Sequence, residues 1–183
     1  MKRVLVPIAD GTEEMEAVCT IDILRRAGVE VTVASVMEQL QVTASRGVKL
    51  VADVPIAACA GEVYDLIALP GGNDGALHLR DSAPLTALLT AQAAEGRLYA
   101  AICAAPVVVL QHHGLLEGRR ATCHPSFEQE LRAPEAVAQR VVVDGNCITS
   151  RGPGTVIEFA LRLVALLCGE EQARAVGTGM LAP

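Results

Sequence analysis

Short aliphatic runs alternate with amphipathic stretches from the first residues of this chain, and that alternation restricts it to parallel α/β arrangements. Arg3–Ile8 is an aliphatic run that ends in the loop Ala9-Asp10-Gly11-Thr12. The spacing of Val18, Ile21, Ile23 and Leu24 predicts a helix over Glu13–Ala27, stopped by Gly28. Val29–Ser35 reads as a second strand. Strand, helix and strand within 35 residues require a crossover, and a crossover pairs its strands in parallel. Gln41–Ala44 and Val48–Val51, around Ser45-Arg46-Gly47, predict an inserted hairpin. The alternation resumes with a strand at Tyr64–Leu69, a turn at Pro70–Asn73, a helix at Ala83–Glu95, a strand at Leu98–Ile102 and a helix at Ala104–His112. Pro106 falls in the first turn of that helix, where proline is tolerated. Arg140–Val143 and Cys147–Ser150 flank the turn signal Asp144-Gly145-Asn146, and helices follow at Ile157–Cys168 and Glu170–Val176. With no repeat or linker in between, the expected fold is one α/β domain over residues 1–183, a mostly parallel sheet with helices on both faces.

Composition removes several functions. Only four of 183 residues are Tyr or Phe, and there is no Trp, so no stacking platform for single-stranded nucleic acid is available. A formal charge of −6 disfavours binding to a phosphate backbone. The longest apolar run, Leu98–Leu110, has 13 residues, against roughly 18 or more for a membrane span. The apolar stretch after Lys2 and Arg3 ends at Asp10, too soon for a signal-peptide core. A cytoplasmic location is therefore expected, with the six cysteines as free thiols. No CxxC pair occurs, and Cys123 beside His124 lacks the spaced partners of a zinc site. Neither a metal nor a cofactor is expected: Pro70-Gly71-Gly72-Asn73-Asp74-Gly75 lacks the GK[ST] of a phosphate-binding loop, and no GxGxxG follows the first strand.

In open parallel sheets ligands bind beyond the carboxyl ends of the strands. Of the loops placed there, Ala100-Ala101-Ile102-Cys103-Ala104-Ala105-Pro106 is the most informative. A buried strand gives way to a helix with one polarizable residue at the junction, the pattern of a nucleophile elbow. A thiol at a helix N-terminus is expected to have a lowered pKa. A packed cysteine closing a core strand fits the same residues.

Four separated segments, Asp10–Val18 (DGTEEMEAV), Leu69–Asn73 (LPGGN), Ala100–Pro106 (AAICAAP) and Thr149–Thr155 (TSRGPGT), resemble the ThiJ/PfpI superfamily. Within it they are most similar to the branch of the Parkinsonism-associated protein deglycase and bacterial YajL. The resemblance covers essentially the whole chain and implies a flavodoxin-like sandwich and a homodimer. It implies that Cys103 is the nucleophile and that Glu16 lies against its sulfur, protonated near neutral pH because a thiolate beside it raises its pKa. His124 matches a histidine near the cysteine in part of the branch, as orienter or proton relay. Gly72 and Ala104 would offer backbone N–H groups to an oxyanion. Arg26 of the partner subunit, Arg46, Asn73 and Pro153 would lie at the pocket mouth. Blander roles fit several of these residues: a first-turn acid for Glu16, a loop histidine for His124, a turn for Gly72 and surface charges for Arg26 and Arg46.

The resemblance implies a cofactor-free enzyme acting on methylglyoxal, glyoxal or their early adducts on proteins and nucleotides. The alternative is a redox-responsive chaperone whose Cys103 oxidises to the sulfinate. A cysteine peptidase ranks last, because Ala104 stands where peptidase-like relatives have histidine.

Overall fold

The computed structural model describes residues 1–132 and 136–182. Its strands are β1 (Arg3–Ile8), β2 (Glu30–Ser35), β3 (Gln41–Thr43), β4 (Lys49–Val51), β5 (Val54–Pro55), β6 (Leu66–Leu69), β7 (Leu98–Ile102), β8 (Val141–Asp144) and β9 (Cys147–Ser150). The α-helices are α1 (Glu14–Arg26), α2 (Asn73–Asp81), α3 (Ala83–Ala94), α4 (Val156–Cys168) and α5 (Glu170–Gly179). Seven strands form one sheet in the order β5-β2-β1-β6-β7-β9-β8. All its pairs are parallel except β8 with β9. This is the expected flavodoxin-like, mostly parallel α/β fold. The predicted hairpin forms a separate antiparallel pair, β3 with β4.

Alternation along the strands divides the core into two aliphatic clusters. Val4, Val6 and Ile8 face one way and pack with residues of α1, α4 and α5. Leu5, Ile67 and Leu69 face the other way and pack with residues of α2 and α3 and with Val107, Val109 and Leu110. A sheet covered on both sides needs apolar residues at successive positions, and Leu66–Leu69 is buried throughout.

The chain departs from expectation in three places. Asn73–Asp81 is helical, where only a turn was expected before Ala83. The helix is short and interrupted by Gly75, which hides its periodicity, yet it buries Ala76 and Leu79. After β7 a π-helix, Pro106–Gln111, replaces the expected α-helix from Ala104. The third departure is β5 with the 3-10 turn Ile56–Cys59, a strand of two residues with no readable period.

The loops at the carboxyl ends of β1 and β6 are in direct backbone contact. The Glu13 N–H donates to the Gly71 carbonyl at 2.9 Å. A Cβ on Gly72, whose φ is +90°, would sit 2.1 Å from the Gly11 carbonyl oxygen and 2.7 Å from the Glu13 nitrogen. Gly96 has φ +70° and nothing within 4 Å of its Cβ position. Gly96→Ala is expected to cost about 1 kcal/mol of folding free energy from the backbone conformation alone. Gly72→Ala adds a backbone clash and should cost about 3 kcal/mol or more. Urea denaturation of the two variants measures the difference, and equal losses would contradict the close approach.

Candidate active site

Cys103 directly follows β7 and carries φ +66°. A side chain in this left-handed region costs about 1–2 kcal/mol, so the surroundings must hold it. Both backbone groups of Cys103 are engaged: its N–H donates to the Ser150 carbonyl at 3.0 Å, and its carbonyl accepts the His124 N–H at 2.9 Å. The side chain is 9% exposed. The backbone N–H groups of Gly72 and Ala104 and the Glu16 carboxyl all bear on the ionisation of its sulfur.

Glu16 lies in the first turn of α1 and is fully buried. Its Oε2 accepts the Gly71 N–H at 2.7 Å, while Oε1 has no hydrogen-bond partner. A buried, unpartnered carboxylate oxygen is costly, and a proton on the group lowers that cost. Burial accordingly raises the Glu16 pKa to about 8, with the Gly71 N–H opposing the shift and the Glu13 charge adding to it. The expectation of a protonated Glu16 therefore holds for a different main reason, desolvation rather than a neighbouring thiolate. A Cβ on Gly71 would lie 2.6 Å from the Cys103 Cβ and 2.8 Å from Glu16 Oε2. Only glycine leaves room here for acid and thiol to meet.

The thiol departs from expectation. Burial and the charge of an ionised Glu16 push Cys103 up to about 12, and the Gly72 and Ala104 N–H groups only partly oppose them. The lowering expected from the N–H groups at the strand-to-helix turn is present but outweighed by burial and the Glu16 charge.

The acids before Glu16 are used separately. The Glu13 carboxylate accepts the Glu16 N–H at 2.8 Å and caps α1. Glu14 accepts the Ser45 hydroxyl at 2.6 Å and the Arg46 N–H at 2.7 Å. That clamp fixes the β3–β4 loop, and with it Arg46, beside the start of α1. The His124 Nδ1 lies 2.7 Å from the Ser126 hydroxyl and accepts the Ser126 N–H at 3.2 Å, which leaves the ring proton on Nε2. The His124 ring also approaches Gly152, whose Cβ position is 3.3 Å from His124 Cδ2. Asn73 opens α2 directly after Gly72, and Pro153 opens a 3-10 turn after β9. Arg26 stands at the opposite end of α1 from Glu16, paired with Asp22 at 2.5 Å, so the chain does not bring its own Arg26 to Cys103. Sequence reasoning missed Gly71 as a donor to Glu16 and the separate uses of Glu13 and Glu14. A usable signal was Glu13 at the cap position, three residues before Glu16.

Among the described residues, no three His, Cys, Asp or Glu side chains form a group that could hold a metal ion. All six cysteines are free, and among the described residues no helix is long and apolar enough to cross a membrane.

Residues 2–166 match the model of the DJ-1/PfpI family. The chain belongs to that family. It is 50% identical over 173 residues to the DJ-1 homolog B of Arabidopsis thaliana, covering 94% of this chain and 40% of that one. This chain thus spans less than half the length of that relative. The oxidized DJ-1 structure from Toxoplasma gondii superposes with a TM-score of 0.97 at 50% identity, covering 99% of this chain and 98% of that one. A Caenorhabditis elegans relative named glutathione-independent glyoxalase DJR-1.2 is 34% identical over 175 residues, 94% of this chain and 91% of its own.

The raised Glu16 pKa makes stability depend on pH. Folding raises this pKa from 4.5 to about 8, so the folded state keeps a proton that the unfolded chain releases. That contribution is whole below the unfolded pKa and is lost as pH rises through the folded one. Wild type should therefore lose stability relative to Glu16→Gln between about pH 5 and pH 8.5, by a few kcal/mol at most. Urea titrations across that range test it, and a constant difference would contradict the buried, protonated acid.

Proposed function

We propose that this chain is a cofactor-free enzyme of small α-dicarbonyls and their early adducts, with Cys103 as nucleophile at a strand-to-helix elbow and Glu16 as proton carrier. The single observation that carries the reading is the buried meeting of Cys103 with a carboxyl whose second oxygen has no partner. With the proton on Glu16 the charge that opposes thiol ionisation is gone, and the remaining anion can sit on sulfur among the Gly72 and Ala104 N–H groups. These pair-level titrations belong to both groups together.

With methylglyoxal, the thiolate forms a C–S bond to the aldehyde carbon, and the oxygen takes the Glu16 proton to give a hemithioacetal and a Glu16 carboxylate. Glu16 removes the proton from that carbon and delivers it to the neighbouring carbon through an enediol, which leaves a thioester and a new alcohol. Water cleaves the C–S bond, releasing lactate and the thiol. The sum is methylglyoxal plus water to lactic acid, and no external oxidant or reductant enters. In this reading His124, with its proton on Nε2, would donate to a substrate oxygen, and Arg46, Asn73 and Pro153 would rim the mouth. The name of the nematode relative agrees with this chemistry.

Cys103→Ser and Glu16→Gln are each expected to lower lactate formation from methylglyoxal by about 100-fold or more. A chiral lactate assay on purified protein measures it. A specific observation favours a second reading: protonated Oε1 can donate to an oxidised sulfur, and one solved relative is an oxidized form. Wild-type protein without turnover, yet suppressing client aggregation only after peroxide, would replace the enzyme by that sensor.

The same reading includes a cytoplasmic homodimer. Met15 and Val18 on α1 and Val48 and Val51 beside or on β4 are exposed, Val51 at 67%. Exposed apolar side chains on this helix and hairpin suit a self-complementary interface. Such a dimer would bring Arg26 of the partner subunit toward the mouth. Val51→Glu should convert a species of twice the chain mass to monomer in light scattering, and an unchanged mass would remove this face as the interface.

A further inference from the structure

We infer that Glu13 is a positioning residue that holds the Glu16 carboxyl at Cys103 and keeps its proton there. The inference deepens the reading of Cys103 and Glu16 as a reacting pair, on which it rests. Glu13 touches both structures that build the pair. Its backbone N–H donates to the Gly71 carbonyl at 2.9 Å, and the Gly71 N–H in turn donates to Glu16 Oε2 at 2.7 Å. Its side chain accepts the Glu16 backbone N–H at 2.8 Å. One residue thus ties the start of α1 to the glycine turn after β6 and fixes where the Glu16 side chain begins.

The identity of the cap is the second observation. Ser, Thr, Asp and Asn are the preferred residues at this position, and a serine would satisfy the Glu16 N–H without charge. Glutamate instead places a carboxylate one helical turn from a buried acid. Its charge disfavours ionisation of Glu16, adding to burial, while the Gly71 N–H works in the opposite direction. The groups that face Glu16 are few. Glu13 faces it from the head of its own helix and Cys103 from the end of β7, and no other charged side chain bears on it among the described residues. Glu14, one residue nearer in sequence, does not substitute for Glu13, because its oxygens are taken by Ser45 and the Arg46 N–H. The three acids of Glu13-Glu14-Met15-Glu16 therefore divide into a cap, a loop clamp and a proton carrier.

Carbon-13 NMR of protein labelled at glutamate side chains tests this on the full chain, with the Glu16 signal assigned by its loss in Glu16→Gln. Wild type should titrate with a midpoint near 8, the value that burial imposes. Glu13→Gln keeps an acceptor for the Glu16 N–H and removes the charge, and its midpoint should fall by at least about half a pH unit. Glu13→Asp restores charge on a preferred cap and should return the midpoint to within about 0.2 of wild type. Glu13→Ser, a neutral preferred cap, repeats the Gln result if Gln weakens the helix. A wild-type midpoint in both neutral variants, or equal shifts in Asp and Gln, would overturn the inference. The titration is read without turnover, so a protein inactive on dicarbonyls would refute the proposed activity and leave this result to stand or fall by itself.

Discussion

The hydrogen bond from the Gly71 N–H to Glu16 Oε2 joins the segments that follow the carboxyl ends of β1 and β6. It forms only because backbones approach more closely than side chains normally allow. A Cβ at Gly71 would intrude on Cys103 and on the acid, and one at Gly75 would lie 2.6 Å from the Thr12 nitrogen and Cα. The loop after β1 is further closed on itself, with the Ala9 N–H donating to Thr12 Oγ1 at 2.9 Å. From the far side the β3–β4 hairpin secures it, the Gly11 N–H donating to the Thr43 carbonyl at 2.8 Å. Each of these contacts is backbone-based and short in reach, so the acid is presented to the thiol by main chain rather than by a flexible side-chain network.

Such a site contains two unfavourable elements, a left-handed cysteine and a carboxyl oxygen without a partner. Strain of this kind persists only where the surrounding structure over-determines it. Here β7 lies between β6 and β9 in the sheet, and Ala100 and Ala101 are fully buried within it. Small residues on both sides of the sheet let aliphatic clusters close against it without large rings. Among the described residues the large, fully buried aromatics, Tyr99 and Phe159, belong to the two opposite clusters rather than to the loops around Cys103. Dense packing transmits little slack to the loop, and the elbow residue has nowhere else to go.

This division explains what was legible beforehand. The strands β1 and β7 begin and end where their aliphatic runs do, because a strand covered on both faces writes its length directly into hydropathy. The helices α1, α3 and α4 were legible through their caps, periodicity and stops. The helix α2 was not: with Gly75 inside it and few apolar residues, its stability derives from docking against the Thr12 loop and the π-helix region, a tertiary effect. At the site, Cys103, Glu16, Gly72 and Ala104 were identified and the structure brings them together. Gly71 was hidden because a glycine in a Pro-Gly-Gly turn already has a sufficient local explanation, and its real constraint comes from residues 55 and 32 positions away.

The sign of the thiol's shift was misread for a related reason. A helix N-terminus lowers a thiol pKa when its N–H groups are free and the sulfur is accessible, and both conditions are local to the chain. Burial and an opposing acid are properties of the assembled loops, and they act on the charged form of sulfur more strongly than two backbone donors can compensate. The acid and the thiol therefore cannot be treated as separately tuned groups. Two protons on the pair leave it neutral and compatible with burial. One proton leaves a single negative charge on the pair, with the Gly72 and Ala104 N–H groups favouring it on sulfur and the Gly71 N–H favouring it on the carboxylate. An ionised Glu16 disfavours charge on the Cys103 sulfur, so ionisation of the thiol and protonation of the acid are linked.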